Sequence, residues 1–314
     1  MSAIGFDTSN YTTSIAWFDG MTGMNCSELL PVREGELGLR QSDAVFHHTK
    51  SLPVLSGRLF SNLSIDSVNA IGVSTRPRAV DGSYMPCFMV GFSHAKVLAD
   101  VLRVPLVECS HQQGHIAASL WSANRLDLMD APHLAWHLSG GTTELLLVEP
   151  DGYNVKCSCI GGTSDISAGQ LIDRTGQLLG LPFPSGKHLD TLWQGANNCD
   201  VFRVKCPELS FSLSGVQNKV QQYYASCNDK RETAAYALRC VCYAVATATQ
   251  NAIKLYPGLP VVFSGGVASN DMLRNAMEFA NPIFSDPQFA RDNAMGVAVL
   301  TQRYLEGRSC PSRY

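Results

Sequence analysis

The sequence predicts an α/β fold made by using one unit twice, and three observations carry that prediction. A short apolar run, a polar turn, a second apolar run and a closing Asp-Gly pair occur at residues 4–20 and again at residues 134–152, which reads as an internal duplication. Strand-length and helix-period apolar segments alternate through the rest of the chain, the pattern of layered α/β folds. Three turns rich in Gly, Ser and Thr, at residues 7–13, 139–143 and 264–270, each follow a strand-like run. The chain has 314 residues, enough for two domains or one large one. We place the two lobes at residues 1–130 and 131–314.

In order along the chain, residues 4–6 form a strand, residues 7–13 the polar turn and residues 14–18 a second strand. Asp19-Gly20 gives a hairpin signal. Residues 42–62 carry apolar positions at helical spacing, residues 70–74 read as a strand, and residues 89–101 as a helix ending before Val104-Pro105. A strand at 106–109 and a helix at 112–121 complete the first half, and the polar segment 125–132 joins the halves. The second half repeats the strand, turn and strand at 134–148. Helices follow at 166–179 and 231–256, with a surface excursion at 195–207 between them. A buried strand at 260–264 runs into Gly265-Gly266, and a final helix covers 292–306.

Composition narrows the function. Hydrophobic residues are 45% and charged residues 16% of the chain, which excludes a disordered polyelectrolyte. Lys plus Arg number 24 against 27 for Asp plus Glu, a net charge of −3, so any polyanion must be met by a local patch or by helper subunits. The start lacks the basic and apolar regions of a signal peptide, and no run of about 18 apolar residues occurs. A cytoplasmic protein without membrane contact is expected. Eleven cysteines include two C-x-C pairs, Cys157/Cys159 and Cys240/Cys242, and no C-x-x-C; free thiols are expected.

Two motifs carry chemistry. Small residues in the three turns let backbone N–H groups approach phosphate oxygens, and the hydroxyls add donors. Asp7, the acid of the first turn, stands where it could hold a phosphate-bound cation or cap a turn. The second motif, His111-Gln-Gln-Gly-His115, puts two imidazoles one helical turn apart on one face, the spacing of adjacent metal ligands. It lacks the Glu of the zinc-protease pattern. Asp292, opening the last helix, is the candidate third ligand, with N-capping the other role open to it. His47, His48, His94, His133 and His188 have no partner at ligand spacing and read as structural or surface residues. No dinucleotide glycine fingerprint, Walker loop or Ser-His-Asp cue is present.

Together these motifs resemble the bacterial tRNA threonylcarbamoyladenosine transferase (TsaD) family, once labelled O-sialoglycoprotein endopeptidase, within the superfamily of actin-like, sugar-kinase and chaperone ATPases. The family's H-M-E-G-H stands here as His111-Gln-Gln-Gly-His115, its V-S-G-G-H-T as Leu138-Ser-Gly-Gly-Thr-Thr143, and its A-G-E-A-F-D-K as Ala168-Gly-Gln-Leu-Ile-Asp-Arg174. Its L-L-G-L-x-Y-P-G-G matches Leu178-Leu-Gly-Leu-Pro-Phe-Pro-Ser-Gly186, and its F-S-F-S-G matches Phe211-Ser-Leu-Ser-Gly215. G-G-V-x-A-N matches Gly265-Gly-Val-Ala-Ser-Asn270, and C-T-D-N-A-A-M matches Ala290-Arg-Asp-Asn-Ala-Met295. The matches follow one another in order, and the resemblance covers nearly the whole chain, from residue 4 to about residue 305.

The resemblance implies two actin-like lobes around a nucleotide cleft. It implies that His111, His115 and Asp292 bind one divalent metal, iron or zinc. It further implies that His137, Leu138, Ser139, Gly140, Gly141, Asp173, Gly186, Asp190, Gly265, Gly266 and Asn270 hold ATP, AMP or threonylcarbamoyl-AMP. The implied activity is metal-dependent transfer of a threonylcarbamoyl group from threonylcarbamoyl-AMP to N6 of an adenosine next to the tRNA anticodon. The implied partners are tRNA, a smaller TsaB-like paralogue and a TsaE-like ATPase.

Several positions depart from the family pattern and point to a divergent paralogue. The family's E-T-S-C-D-E-T is Asp7-Thr-Ser-Asn-Tyr-Thr-Thr13, so Tyr11 and Thr12 replace an acid pair. Asp7 and Thr12 are the candidate catalytic positions, although neither Tyr11 nor Thr12 supplies a general base or charged ligand. Thr142 replaces a His, and a glycine-rich segment becomes Arg76-Pro-Arg-Ala-Val-Asp-Gly-Ser-Tyr-Met-Pro86. These changes motivate two alternatives: a non-catalytic nucleotide-binding partner subunit, or a carbamoyltransferase or ATPase with another acceptor. Arg33, Arg40, Lys50, Arg58, Arg76, Arg78 and Arg103 form a basic set in the first half, as a tRNA-facing patch or as scattered solvated charge.

Overall fold

The computed structural model describes residues 1–9, 11–31, 39–290 and 292–309. Asn10 of the first turn, Arg33 of the basic set and Arg291 of the last motif lie outside the described residues. Two compact units are present: one holds residues 1–131, 149–157 and the chain from 292 onward, the other residues 132–148 and 158–291. A single division at 130/131 had been expected. The final helix departs from that division because its small residues pack on the first sheet, a contact between the two ends of the chain that contiguous reading does not reveal.

In the first unit, β1 (Ser2–Ser9) and β2 (Thr12–Phe18) form a hairpin with Asp7 opposite Ser14 and Ser9 opposite Thr12. The expected polar turn at 7–13 is therefore mostly strand, because its hydroxyl residues pair across the hairpin and only its tip turns. β3 (Gly23–Leu29) adds an antiparallel edge, and β4 (Val68–Arg76) and β5 (Leu106–Ser110) run parallel to β1, giving the order β3-β2-β1-β4-β5. β3 was not expected; it buries neither face fully, so it shows no apolar alternation. One face of the sheet buries Ile4, Phe6 and Ile15 with Leu52, Leu55 and Leu59 of α1 (Gln41–Phe60) and Val90, Ala95 and Ala99 of α2 (Phe88–Leu102).

The other face carries α3 (His111–Ser122) and the last helix, α9 (Met295–Ser309). A side chain at Gly5 of β1 would come within 2.5 Å of the Ala298 backbone nitrogen. At Gly296 a side chain would land on the Gly114 carbonyl oxygen. α3 and α9 therefore cross in backbone contact, which glycine alone permits. That crossing places the residues before α9 beside the first turns of α3.

The second sheet has the order β11-β10-β6-β7-β8-β9, from β6 (His133–Leu138), β7 (Thr143–Asp151), β8 (Asn154–Thr163), β9 (Ser210–Phe211), β10 (Val261–Ser264) and β11 (Ile283–Phe284). The run β8-β7-β6-β10-β11 repeats the order of the first sheet strand for strand, which is the duplication read from sequence. Trp136 is fully buried and its Nε1 donates to Thr249 Oγ1 at 2.9 Å, tying the sheet to the long helix α7 (Lys230–Leu255). α4 (Ala168–Leu178) starts later than expected because Ser167 and Gln170 form a reciprocal capping box. α5 (Gly186–Trp193) and α6 (Ser214–Cys227) were not expected; α6 buries only Val216 and Val220, too sparse a stripe to read. α8 (Asp271–Ala276) follows the third glycine turn. The ten cysteines among the described residues are free, and no helix among those residues is long and apolar enough to cross a membrane.

Candidate metal centre and phosphate turns

In the first unit, Ser110 ends β5 and caps α3. Its Oγ accepts from the Gln113 backbone N–H at 3.2 Å, while Gln113 Oε1 accepts from the Ser110 N–H at 2.9 Å. The helix consequently begins at His111, with His115 one turn on. Their Nε2 atoms lie 2.9 Å apart. Asp292 Oδ1 stands 3.1 Å from His115 Nε2 and 3.5 Å from His111 Nε2. Asp292 does not cap α9: the Met295 N–H donates to Asn293 Oδ1 at 3.0 Å, which leaves the Asp292 carboxylate facing the imidazoles.

Among the described residues, these three form the one group of His, Cys, Asp or Glu side chains able to share a metal ion, with ligand atoms within 4.8 Å of one another. An ion bound about 2.0–2.2 Å from each N or O donor sets those donors roughly 3–3.5 Å apart. The observed separations fit one ion, and two imidazoles with a carboxylate suit zinc or iron(II).

Asp7 is 1% exposed at the end of β1. Its Oδ2 lies 2.8 Å from His111 Nδ1, and its Oδ1 accepts from the Ser9 N–H at 2.9 Å. Burial opposes charge throughout this cluster, but pairing outweighs it. The Asp7 carboxyl is lowered despite burial by the His111 ring beside it. The Asp292 carboxyl is held well below the usual range by hydrogen bonds to both histidines. His111, which burial would deprotonate, is pushed up to about 10 by Asp7 and Asp292.

Thr12 is buried, and the hairpin register puts it on the Asp7 face of the sheet, since Ser9 pairs with Thr12 and residues two apart share a face. Tyr11 is half-buried, and its carbonyl accepts from the Leu30 N–H at 2.8 Å. Asp7 is the carboxylate this hairpin brings to the histidines.

The second unit gathers most of the expected ligand-binding residues. Ser139 to Thr142 make a tight turn between β6 and β7: Ser139 N–H donates to the Thr142 carbonyl at 2.8 Å, and Thr142 N–H to Ser139 Oγ at 3.1 Å. Ser167 Oγ donates to the Gly140 carbonyl at 2.6 Å, and Gly169 sits against the Gly140 backbone, so α4 starts on this turn. Gly265, at φ +91°, rests on the Leu138 backbone, where a side chain has neither the conformation nor the room. At Gly140, Gly141, Gly186 and Gly266 a side chain would meet nothing within 4 Å. Room for a ligand is thus left at Gly141, Gly186 and Gly266, whereas the Gly140 backbone is covered by Gly169. His137, half-buried, ends β6 beside this turn.

Asp173 and Asp190 differ from each other. Burial raises the Asp173 carboxyl, and its Oδ1 accepts from the Ser185 N–H at 2.8 Å. Asp190 Oδ1 accepts from Trp193 Nε1 and from Asn270 Nδ2, both at 2.7 Å. Asn270 Oδ1 meanwhile accepts from the Leu273 N–H at 3.0 Å and caps α8. Asp190 and Asn270 thus bind each other and join α5 to the third glycine turn.

One anchoring residue escaped the sequence reading. Asp165 accepts from Ser212 Oγ at 2.6 Å and from the Leu213 N–H at 2.8 Å, with Ser214 N–H at 3.2 Å. It fastens the Phe211–Gly215 motif and the start of α6 from 47 residues away, and no local signal marks it. These donors lower its carboxyl against the opposing pull of burial. A folded-state value below the ordinary 3.8 means stability that is complete above about pH 5 and is lost as pH falls through the folded value. Asp165→Ala therefore costs about 1 kcal/mol near neutral pH, an exposed capping effect limited by solvent screening, and the cost shrinks in acid. Denaturant melts of both proteins at neutral and acid pH check this.

The family described as TsaD, tRNA N6-adenosine threonylcarbamoyltransferase, matches residues 38–299. A protein named tRNA N6-adenosine threonylcarbamoyltransferase from Bacillus licheniformis is 32% identical over 244 residues, covering 74% of this chain and 68% of that one. One of the same name from Thermosipho africanus is 28% identical over 332 residues, covering 99% and 97%. Among solved structures, full-length HypF in its phosphate- and nucleotide-bound form aligns with a TM-score of 0.64 at 14% identity, over 99% of this chain and 47% of that one; this likeness speaks for the fold, which is actin-like. With strand order, motif positions and sequence in agreement, this chain belongs to the TsaD family of tRNA N6-adenosine threonylcarbamoyltransferases.

Proposed function

We propose that this protein transfers a threonylcarbamoyl group from threonylcarbamoyl-AMP to N6 of an adenosine beside the tRNA anticodon. The observation that carries the reading is the convergence of His111, His115 and Asp292 within 4.8 Å in a chain whose family match spans residues 38–299. His111, His115 and Asp292 would hold a zinc or iron(II) ion. Bound there, such an ion supplies Lewis-acid polarisation of a substrate oxygen.

The chain's own groups account for the rest of the task. The room left at Gly141 and Gly266, where a side chain would meet nothing within 4 Å, lets an adenylate phosphate approach the glycine turns closely. Ser139 and Thr142 keep that turn closed through their mutual hydrogen bonds. Asp173 and Gly186 stand beside Ser185 as polar contacts for the nucleoside, while Asp190 and Asn270 hold the third turn in place. Exposed Arg40, Lys50, Arg58, Arg76, Arg78 and Arg103 supply the positive charge that an RNA backbone requires, and a smaller paralogue and an ATPase subunit complete the assembly.

The test is nucleoside mass spectrometry of unmodified tRNA incubated with metal-loaded protein and threonylcarbamoyl-AMP, with and without helper subunits. A gain of the threonylcarbamoyl mass on adenosine is expected. No gain in either tube, with metal bound, overturns the reading.

A further inference from the structure

We infer that Asp7 is the positioning residue for the metal centre: it holds the N–H of metal-bound His111 on Nδ1 and so directs Nε2 to the ion. The inference rests on the reading of His111, His115 and Asp292 as ligands and goes beyond it to a residue on another element.

The geometry is specific. Asp7 Oδ2 is 2.8 Å from His111 Nδ1, on the side of the ring away from Asp292 and His115, whose atoms approach Nε2. A carboxylate is only an acceptor, so the nitrogen it meets carries the hydrogen. A neutral imidazole has one N–H, and placing it on Nδ1 puts the lone pair on Nε2. The carboxylate is itself held, because Oδ1 accepts from the Ser9 N–H at 2.9 Å and the group is 1% exposed. Both oxygens are in use by two N–H donors. Outer carboxylates on metal-binding histidines orient the ring and raise its basicity, and losing them costs about 10–100-fold in metal affinity.

The hairpin keeps this one carboxylate despite its departure from the family pattern. Tyr11 and Thr12 bring no carboxylate to the hairpin, yet Asp7 still meets the histidine from the buried end of β1. It does so as an orienting group that reaches the ion through His111.

The carboxylate requirement makes a sharp variant. An amide has one acceptor oxygen, so Asp7→Asn satisfies either the Ser9 or the His111 N–H and turns an N–H donor toward the other. Co(II) affinity, measured by chelator competition, is expected to fall about 10–100-fold, with a shifted ligand-field spectrum. Asp7→Glu restores both oxygens and is expected to recover most of that loss. Unchanged affinity and spectrum in Asp7→Asn overturn the inference, as does equal weakness in Asp7→Asn and Asp7→Glu, which would make packing the cause.

A measurement on the unaltered protein keeps the test open should a variant not fold. ¹⁵N shifts of His111 in the Zn(II)-loaded protein are expected to show a protonated Nδ1 and a metal-bound Nε2. Metal on Nδ1 overturns the inference. If the unaltered protein binds no Co(II) or Zn(II), the ligand assignment itself fails. Metal binding that Asp7 does not influence sinks the positioning role alone.

Discussion

His115→Ala abolishes high-affinity divalent-metal binding and slows threonylcarbamoyl transfer by at least about a hundredfold. His115 is 5% exposed, and its Nε2 lies within 3.1 Å of both other candidate ligands. Alanine removes one of three donors and leaves Asp292 facing a single imidazole. The remaining pair cannot enclose an ion. Polarisation by a bound metal contributes several kcal/mol to a transition state, and each 1.4 kcal/mol is about a factor of ten in rate. Metal content after gel filtration and single-turnover transfer check both effects. His115→Gln, closer in size, controls for lost packing, and either variant retaining full metal and full rate would remove His115 from the centre.

Gly296→Ala lowers stability by about 3 kcal/mol and weakens metal binding as well. The added methyl would fall on the Gly114 carbonyl oxygen, a backbone atom that cannot swing aside, so α3 and α9 must move apart. Overpacking of this kind costs about 1–3 kcal/mol and occasionally more. The displacement also reaches the metal centre, since Gly114 adjoins His115 and Gly296 lies four residues after Asp292. Gly57→Ala is the matched control. Gly57 lies within α1 and a side chain there meets nothing within 4 Å, so alanine is expected to raise stability by up to about 1 kcal/mol. Denaturant melts of both variants, with metal titrations, separate the two outcomes. Equal stability of Gly296→Ala and the unaltered protein would show that the helix crossing is looser than the structure places it.

Much of the fold was legible because the signals that specify it are local. The apolar runs and glycine turns at residues 4–20 and 134–152 announced the repeat, and the matching strand orders bear it out. β3, β8, α5 and α6 were missed for a common reason. None of them buries a regular apolar stripe, and β3 buries neither face fully. The division of the chain at 130/131 missed α9 because its place on the first sheet is decided by Gly5, Gly72 and Gly296, small residues whose value lies in what they allow another backbone to do. Periodicity registers side chains that are buried. It does not register side chains that are absent.

The same distinction applies to the candidate site. The pairing of His111 with His115 is written in a four-residue interval, because a helix puts positions i and i+4 on one face whatever surrounds it, and the Ser110–Gln113 capping box that starts the helix is equally local. Asp292 joins the pair across 177 residues, and Asp7 reaches His111 across 104. Asp165 and the link between Asp190 and Asn270 are likewise long-range. By itself, the sequence determined the residue types, the duplicated strands and the helical spacing of the imidazoles, all of which follow from backbone geometry over a few residues. Which carboxylate faces which imidazole was decided only by the tertiary structure, because those distances depend on how closely α9 can lie against α3 and the first sheet.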